Sequence, residues 1–266
     1  MAVVRLVGAG IFPQRDLSIG GRNALLNASK VIYVSFPGAV EWLRELGVSN
    51  TQDIASYYKD GAEDRDNYSS MLDAVVAAAR EFGDVTYLVQ GHPNLGVTLT
   101  QELFRLSDKE ADLDVEVIPG ISSLDTMMLD LRLDLLERGC MVVCANRLLL
   151  FRYNLDPRLG MLIYHGSSVG TSQTNFVEPW RSNQIQLLQE YLCESLGENR
   201  SFVAVCSKSH KDEESKLVRG KLSGLAQAVE AIDYGTSIYV PASESVGEVD
   251  REFLSLLVGN KATAAS

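Results

Sequence analysis

Tyr87-Leu-Val-Gln-Gly-His-Pro-Asn-Leu-Gly-Val97 is a short apolar run that ends abruptly in Gly and Pro. Val115-Glu-Val-Ile-Pro-Gly-Ile-Ser-Ser123 repeats the pattern. A buried parallel strand looks like this where it leaves its sheet. Between the two, Thr98 to Lys109 carries Leu99, Leu103 and Leu106 at helical spacing, with Thr98 or Thr100 placed to cap the helix. The unit is therefore strand, Gly-Pro loop, helix, strand, Pro-Gly loop, helix. In such sheets ligands sit where the carboxyl ends of strands open into loops. Both loops lie at that end.

Working outward, Val3 to Val7 reads as a first strand ending in Gly8-Ala9-Gly10. The third glycine of a dinucleotide fingerprint is missing, because Pro13 stands where that motif continues. Leu17 to Ser29 reads as a helix, Val31 to Ser35 as a strand, and Val40 to Leu46 as a helix stopped by Gly47. Ser49 to Asn67 is polar and loop-like and holds Tyr57, Tyr58 and Arg65, with Tyr68 just beyond. Ser69 to Phe82 is a helix with Met71, Val75, Ala78 and Phe82 on one face and Gly83 as its stop. Past the central unit we expect helices over Ser122 to Leu131, Gln184 to Ser195, Leu222 to Ala231 and Glu248 to Val258. Strands are expected over Cys140 to Ala145, Leu162 to Tyr164, Phe202 to Cys206 and Ser237 to Val240. The one candidate boundary is the Pro119-Gly120 loop. It predicts an α/β domain over 1–118, a second over 119–258, and a frayed tail over 259–266.

Composition narrows the function. The 266 residues are 46% apolar and 22% charged, an ordinary globular balance. No apolar run approaches the roughly 18 residues of a membrane span. The N-terminus has neither a basic lead nor a cleavage site, so a cytoplasmic location and no membrane partner are expected. With 24 basic against 35 acidic residues, net −11, a nucleic-acid partner is disfavoured. Cys140, Cys144, Cys193 and Cys206 have no zinc or redox spacing and read as buried thiols. His92, His165 and His210 are scattered, so no metal site is predicted.

Gly8-Ala-Gly10, Gly91-His-Pro93 and Pro119-Gly-Ile-Ser-Ser123 together resemble the tetrapyrrole methylase superfamily, from about Val4 to Pro241. The resemblance implies a class III S-adenosylmethionine (SAM) methyltransferase fold, with two α/β domains and the cofactor cleft between them. Within it, the chain is similar to the borosin-type enzymes, which methylate backbone amide nitrogens of a ribosomal peptide. That likeness rests on Asp130-Leu-Arg-Leu-Asp134, Gly139-Cys140, Ser168-Val-Gly170 and Thr236-Ser-Ile-Tyr-Val-Pro241, besides the two loops. It rests also on Tyr58, Arg65 and Tyr68, where such enzymes carry a Tyr, Arg, Tyr set. The tyrosines keep the family's separation of ten; Arg65 stands three before Tyr68, and Asp64 takes the position four before it.

An amide N–H is a very poor acid and its lone pair is delocalised into the carbonyl. Methyl transfer needs that proton removed, or the oxygen's charge stabilised, as the bond forms. The resemblance makes Tyr68 the base candidate, Arg65 its electrostatic partner, and Tyr58 the oxygen stabiliser or substrate clamp. The two tyrosine roles are interchangeable at this stage. The plainer alternative is a set of rim residues in a polar loop.

For SAM, and S-adenosylhomocysteine as product, the same carry-over names His92 and Leu95 in the first loop. Gln90 sits where many relatives have a tyrosine. Ser122 and Ser123 open a helix suited to a carboxylate, while Ala145, Thr236 and Ser237 would face adenine and ribose. Structurally, His92 could simply cap its loop and the serines could be plain N-caps. The chain stops about 25 residues past Pro241 with no peptide-like repeat, so the expected acceptor is a separate precursor peptide, and the expected assembly a homodimer. Other readings are a precorrin or uroporphyrinogen methyltransferase, a diphthine-synthase-like or ribosomal-RNA methyltransferase, and a non-catalytic peptide-binding protein on a SAM fold.

Overall fold

The structure, a computed structural model, describes residues 1–34, 36–173, 175–231, 233–244 and 249–258. Strands β1 (Ala2–Gly8), β2 (Lys30–Tyr33), β3 (Thr51–Asp53), β4 (Asp84–Val89) and β5 (Leu113–Ile118) form one sheet in the order β3-β2-β4-β1-β5. Every pairing in it is parallel, with β1 between β4 and β5. The crossover from β4 to β5 therefore passes over β1, and all five carboxyl ends reach one edge. Side-chain alternation sorts the sheet's two faces. Val4, Leu6, Ile32, Val85 and Tyr87 turn to one face, while Val7, Val31, Tyr33 and Leu88 turn to the other.

Helices α1 (Pro13–Asp16), α2 (Ile19–Asn27) and α3 (Ala39–Leu46) belong to the first half, as do α4 (Asp64–Phe82) and α5 (Thr98–Ser107). Leu25 and Leu43, from α2 and α3, cover the Val7 face, and Met71, Val75, Leu99 and Leu103, from α4 and α5, cover the Tyr87 face. Two expectations change here. Asp64 begins α4, five residues earlier than apolar periodicity indicates, because its first turn is acidic and polar. Arg65 and Tyr68 therefore stand on a helix, and the supposed loop also holds β3 and a 3₁₀ turn, Ala55–Tyr57. Neither Thr98 nor Thr100 caps α5: Val97 is the N-cap, and Thr100 is fully buried on the inner face. The helix expected over Leu17 to Ser29 is shorter, Ile19–Asn27, since Ser18 caps its start by accepting from Gly21 N at 3.0 Å. Ser35, the end of the second expected strand, lies outside the described residues.

Helices α6 (Ser123–Leu131), α7 (Leu135–Arg138), α8 (Ala145–Phe151) and α9 (Ile185–Leu196) follow. The second sheet holds β6 (Cys140–Cys144), β7 (Gly160–Tyr164), β8 (Ser201–Cys206), β9 (Lys216–Lys221) and β10 (Ser237–Val240). Its order is β6-β7-β10-β8-β9, and only β6 and β7 pair in parallel. The carboxyl ends of β6, β7 and β8 thus share an edge with the amino end of β10. Met161, Ile163, Phe202, Ala204 and Ile238 pack under α8 and α9, while Leu162 and Val205 meet Met127 of α6. Ala145 opens α8 rather than closing β6. Leu222 to Ala231 is not an α-helix but two 3₁₀ turns, Leu222–Gly224 and Ala226–Ala231. The last helix, α10 (Arg251–Val258), is shorter than expected, and Glu248 falls outside the described residues, as does the 259–266 tail. None of the four cysteines is fully buried, because Cys140 and Cys144 lie on the edge strand β6, Cys206 ends β8, and Cys193 rides on α9. No helix among the described residues is long and apolar enough to cross a membrane.

Candidate active site

Three loops meet backbone to backbone at the carboxyl edge of the first sheet. A Cβ on Gly120 would stand 2.6 Å from the Gly8 carbonyl oxygen and 2.7 Å from that of Gly91. Gly10 and Gly91 form an isolated bridge, with Gly91 N donating to Gly10 O at 2.9 Å. Gly91 holds φ +81, a conformation that side chains rarely adopt. The chain then turns outward. Gln90 is exposed, and its Nε2 donates to Ile11 O at 3.3 Å. His92 Nδ1 accepts from Asn94 N at 3.1 Å, so His92 braces its own loop, and Leu95 is half-buried.

Ser122 caps α6 through a capping box: its Oγ accepts from Asp125 N, and the Asp125 carboxylate accepts from Ser122 N at 2.7 Å. Ser123 sits next to it, half-buried, with its Oγ 3.4 Å from Tyr164 Oη. Among the described residues the N–H groups of Ser123 and Leu124 have no acceptor, which leaves them open to an anion. The second sheet brings the other expected cofactor residues to its own edge. Ala145 is fully buried, and Ser237 is buried on β10. Thr236 is buried too, its Oγ1 donating to Asp233 at 2.8 Å and accepting from Asp233 N at 3.1 Å. Ala145 therefore exposes no surface to a ligand, and Thr236, its hydroxyl engaged, could offer only backbone. The two edges touch where His165 Nε2 lies 3.2 Å from the point a Gly96 Cβ would occupy. Open amides, exposed loop backbone and flanking hydroxyls suit a cofactor with a carboxylate at one end and a purine at the other.

The aromatic side chains form a second feature. Tyr58 Oη donates to the Asp64 carboxylate at 2.5 Å. The Tyr58 ring stands edge-on to Tyr68, centroids 6.0 Å apart, and packs on Phe176 at 4.7 Å; Phe176 in turn meets Tyr234 at 4.2 Å. Tyr68 and Tyr58 thus come together, and Arg65 does not join them. It is exposed, with no ion pair among the described residues, since the helix turns it about 100° away from Asp64. Burial, then the charge of Asp64, raises the Tyr68 pKa, against hydrogen bonds with Thr98 and Tyr58. The phenol stays protonated at neutral pH. Tyr234 is 45% exposed as a residue, yet burial of its hydroxyl end, then Tyr68, Asp64 and Tyr87, raises its pKa as well.

Phe176 and Tyr234 have no signal in the sequence, and Asp64 is marked there only by its position, with no role assigned. The spacing of Tyr68 to the preceding position four residues back pointed at Asp64. Phe176 and Tyr234 carry no periodic signal, because they lie in irregular segments of the second half. The Phe176 segment is pinned across the cleft: Asp64 N donates to Ser172 O at 2.9 Å, Gln173 Nε2 to Glu63 at 2.9 Å, and Phe176 N to Asp60 at 2.6 Å. Such a group can accept a proton, donate to a developing oxyanion, and flank a planar acceptor with rings.

The family model for Tetrapyrrole (Corrin/Porphyrin) Methylases matches residues 3–226. Among curated proteins, the chain is similar to the methyltransferase/ribosomally synthesized type II borosin cyclic peptide precursor of Phlebiopsis gigantea. The two are 24% identical over 264 residues, 98% of this chain and 47% of the relative. It is also similar to a type I borosin counterpart from Gymnopilus junonius, 23% identical over 89% of this chain and 56% of that one. The chain spans about half the length of these curated relatives. Among solved structures, the uroporphyrin-III C-methyl transferase of Thermus thermophilus, complexed with S-adenyl homocysteine, superimposes with a TM-score of 0.59. It is 19% identical and matched over 90% of this chain and 91% of its own, a likeness of fold.

Proposed function

The chain belongs to the tetrapyrrole (corrin/porphyrin) methylase family, and from that premise we propose that it methylates backbone amide nitrogens of a separate precursor peptide, using SAM. The observation that carries this reading is the Tyr58 hydroxyl seated 2.5 Å from the Asp64 carboxylate, beside a Tyr68 held protonated. The likeness to borosin precursors supports the same substrate class. Bound SAM supplies an electrophilic methyl group on a sulfonium. The backbone of Gln90 to Leu95, the amides of Ser123 and Leu124, and the backbone of Thr236 to Ser237 would hold it, with Ser122 fixing the helix start and Ala145 packed behind.

In this proposal the tyrosine roles are the reverse of the initial assignment. The amide proton passes to the Tyr58 oxygen as the Tyr58 proton passes to Asp64, so the carboxylate ends protonated and the nitrogen lone pair becomes available. The protonated phenol of Tyr68 donates to the oxygen on which charge collects. Arg65 is left as a rim cation able to meet an acidic stretch of peptide. Phe176 and Tyr234 would flank the acceptor's planar amide. A polycarboxylate tetrapyrrole would instead meet Asp60 and Asp64 there, which disfavours that acceptor.

We place the domain division at 118/119, between the sheets. A homodimer fits the exposed apolar side chains around edge strand β6: Val142 on it, Leu136 before it, Leu150 and Phe151 after it. The test is incubation with SAM and synthetic precursor peptides, read by tandem mass spectrometry. A methyl group on a backbone nitrogen, with SAH released, is expected. Binding of SAM with transfer to a tetrapyrrole acid and none to peptide would overturn the substrate; no SAM binding by folded protein would overturn the whole reading.

A further inference from the structure

A thiol and an imidazole meet at the second sheet's edge, apart from the aromatic cluster. Cys144 closes β6 opposite Tyr164 of β7, so the next residue, His165, emerges beside it. His165 takes φ +60, in the left-handed region that a side chain rarely adopts. That turn aims the ring back along the sheet edge, with Nδ1 3.3 Å from Cys144 Sγ. The ring's other nitrogen faces Gly96 of the first half. Strained backbone held by contacts on both sides is a feature of positions that do work. Cys144 is half-buried, so a small reagent can reach it.

We propose that Cys144 and His165 form a thiol–imidazole pair, the ring taking the thiol proton as sulfur reacts, that makes Cys144 this chain's modification site for soft electrophiles, peroxides among them. The pair does not rest on the methyl-transfer reading. With an alkyl halide, the sulfur lone pair forms the S–C bond, halide leaves with its bonding electrons, and the thiol proton passes to His165. With hydrogen peroxide, sulfur attacks one oxygen and the O–O bond breaks. The leaving hydroxide takes the imidazolium proton as water, so the cysteine is oxidised to sulfenic acid and the peroxide reduced.

The surroundings support the thiolate. Burial opposes it, but contact with His165, the backbone amides of Arg147 and Asn146, and the imidazole's charge together lower the Cys144 pKa to about 7. No carboxylate or other cation among the described residues acts on the sulfur. Tyr164 stands beside the pair, its ring 6.4 Å from that of His165. The other three thiols are controls. Burial raises Cys140 and Cys193, and raises Cys206 to about 12.

The experiment is a time course of iodoacetamide labelling across pH, with each cysteine followed by peptide mass spectrometry. At pH 7 Cys144 is expected to react first, roughly tenfold faster than a thiol of ordinary pKa, with its rate half-maximal near pH 7. His165→Asn should move that midpoint above pH 8 and slow labelling at pH 7. Equal labelling of Cys144, Cys140 and Cys193 at pH 7 in the wild-type chain would overturn the proposal without recourse to the variant. An unshifted midpoint in folded His165→Asn would overturn the pairing.

Discussion

The two sheets have the same number of strands and divide the work differently. In the first, every pairing is parallel, so all five carboxyl ends crowd one edge and the loops leaving β1, β4 and β5 collide there as bare backbone. In the second, β9 and β10 run against β6, β7 and β8, so its facing edge mixes strand ends with a strand start. The first half offers backbone and a helix-borne carboxylate; the second adds Phe176 and Tyr234 on irregular segments and the Cys144–His165 pair where β6 and β7 end. The lesson is that uniform strand direction concentrates a site, and a mixed sheet decorates one.

The sharpest way to break that comparison is to remove the proton acceptor from the first half. Tyr58→Phe and Asp64→Asn should each cost roughly 10²–10⁴ in kcat with SAM affinity unchanged, as expected for a group needed only in the transition state. Single-turnover kinetics with peptide would check this. Tyr57→Phe, on an exposed neighbour, should be nearly silent. If Tyr57→Phe were dead and Tyr58→Phe active, the register of this segment in our reading would be wrong.

Gly120→Ala comes next. Its methyl group has only the Gly8 and Gly91 carbonyls to displace, so the loss should reach about 1–3 kcal/mol or more. Differential scanning calorimetry should then show a fall of roughly 5–10 °C in Tm. Gly61→Ala is the contrast, since no atom lies within 4 Å of its added Cβ; its cost comes only from φ +71.

Phe176→Ala tests the second half's share. Losing two ring contacts should raise peptide KM by roughly threefold to tenfold while kcat holds, since an aromatic pair is worth about 0.5–1.5 kcal/mol. A fall in kcat as large as that of Tyr58→Phe would erase the division of labour. The smallest effect concerns pH. Tyr68 is an acid with a raised pKa, so it keeps its proton to higher pH than a free phenol at about 10. As donor it should support a kcat that holds through pH 10 and falls only above. As base it would give a kcat still climbing there, and Tyr68→Phe would remove that limb. Arg65→Lys should stay within about twofold at every pH, because its charge survives and it holds no carboxylate among the described residues.

How much of this was legible follows from the same contrast. The β4–α5–β5 unit announces itself because buried parallel strands are apolar throughout and stop at Gly and Pro. β3 escapes, since Thr51-Gln-Asp53 has no apolar alternation and takes its structure from pairing with β2. The start of α4 escapes too, because acidic residues suit a first helical turn as well as they suit a loop. β9 escapes because Lys216-Leu-Val-Arg-Gly-Lys221 is an edge strand kept charged against misplaced pairing. Tyr58 and Tyr68 could be named from a motif, and Arg65 was named with them because it has the right chemistry one position along. Only the helix shows that Asp64 faces the phenol. Phe176 and Tyr234 depend on long-range chain packing, which no local pattern encodes.

One earlier feature reaches beyond stability. Gly8 and Gly120 press backbone on backbone, a Cβ on either meeting the other residue and the Gly91 carbonyl, while Gly91 is held to glycine by its own φ of +81. A side chain gained at Gly8 or Gly120 meets backbone, which no substitution elsewhere can shrink. The three positions, scattered over more than a hundred residues, are therefore each fixed as glycine, two by backbone contact and one by conformation. A mutational library that samples them freely should return the parental triplet from every surviving clone, and relatives that diverge everywhere else should still be recognisable by these three missing methyl groups.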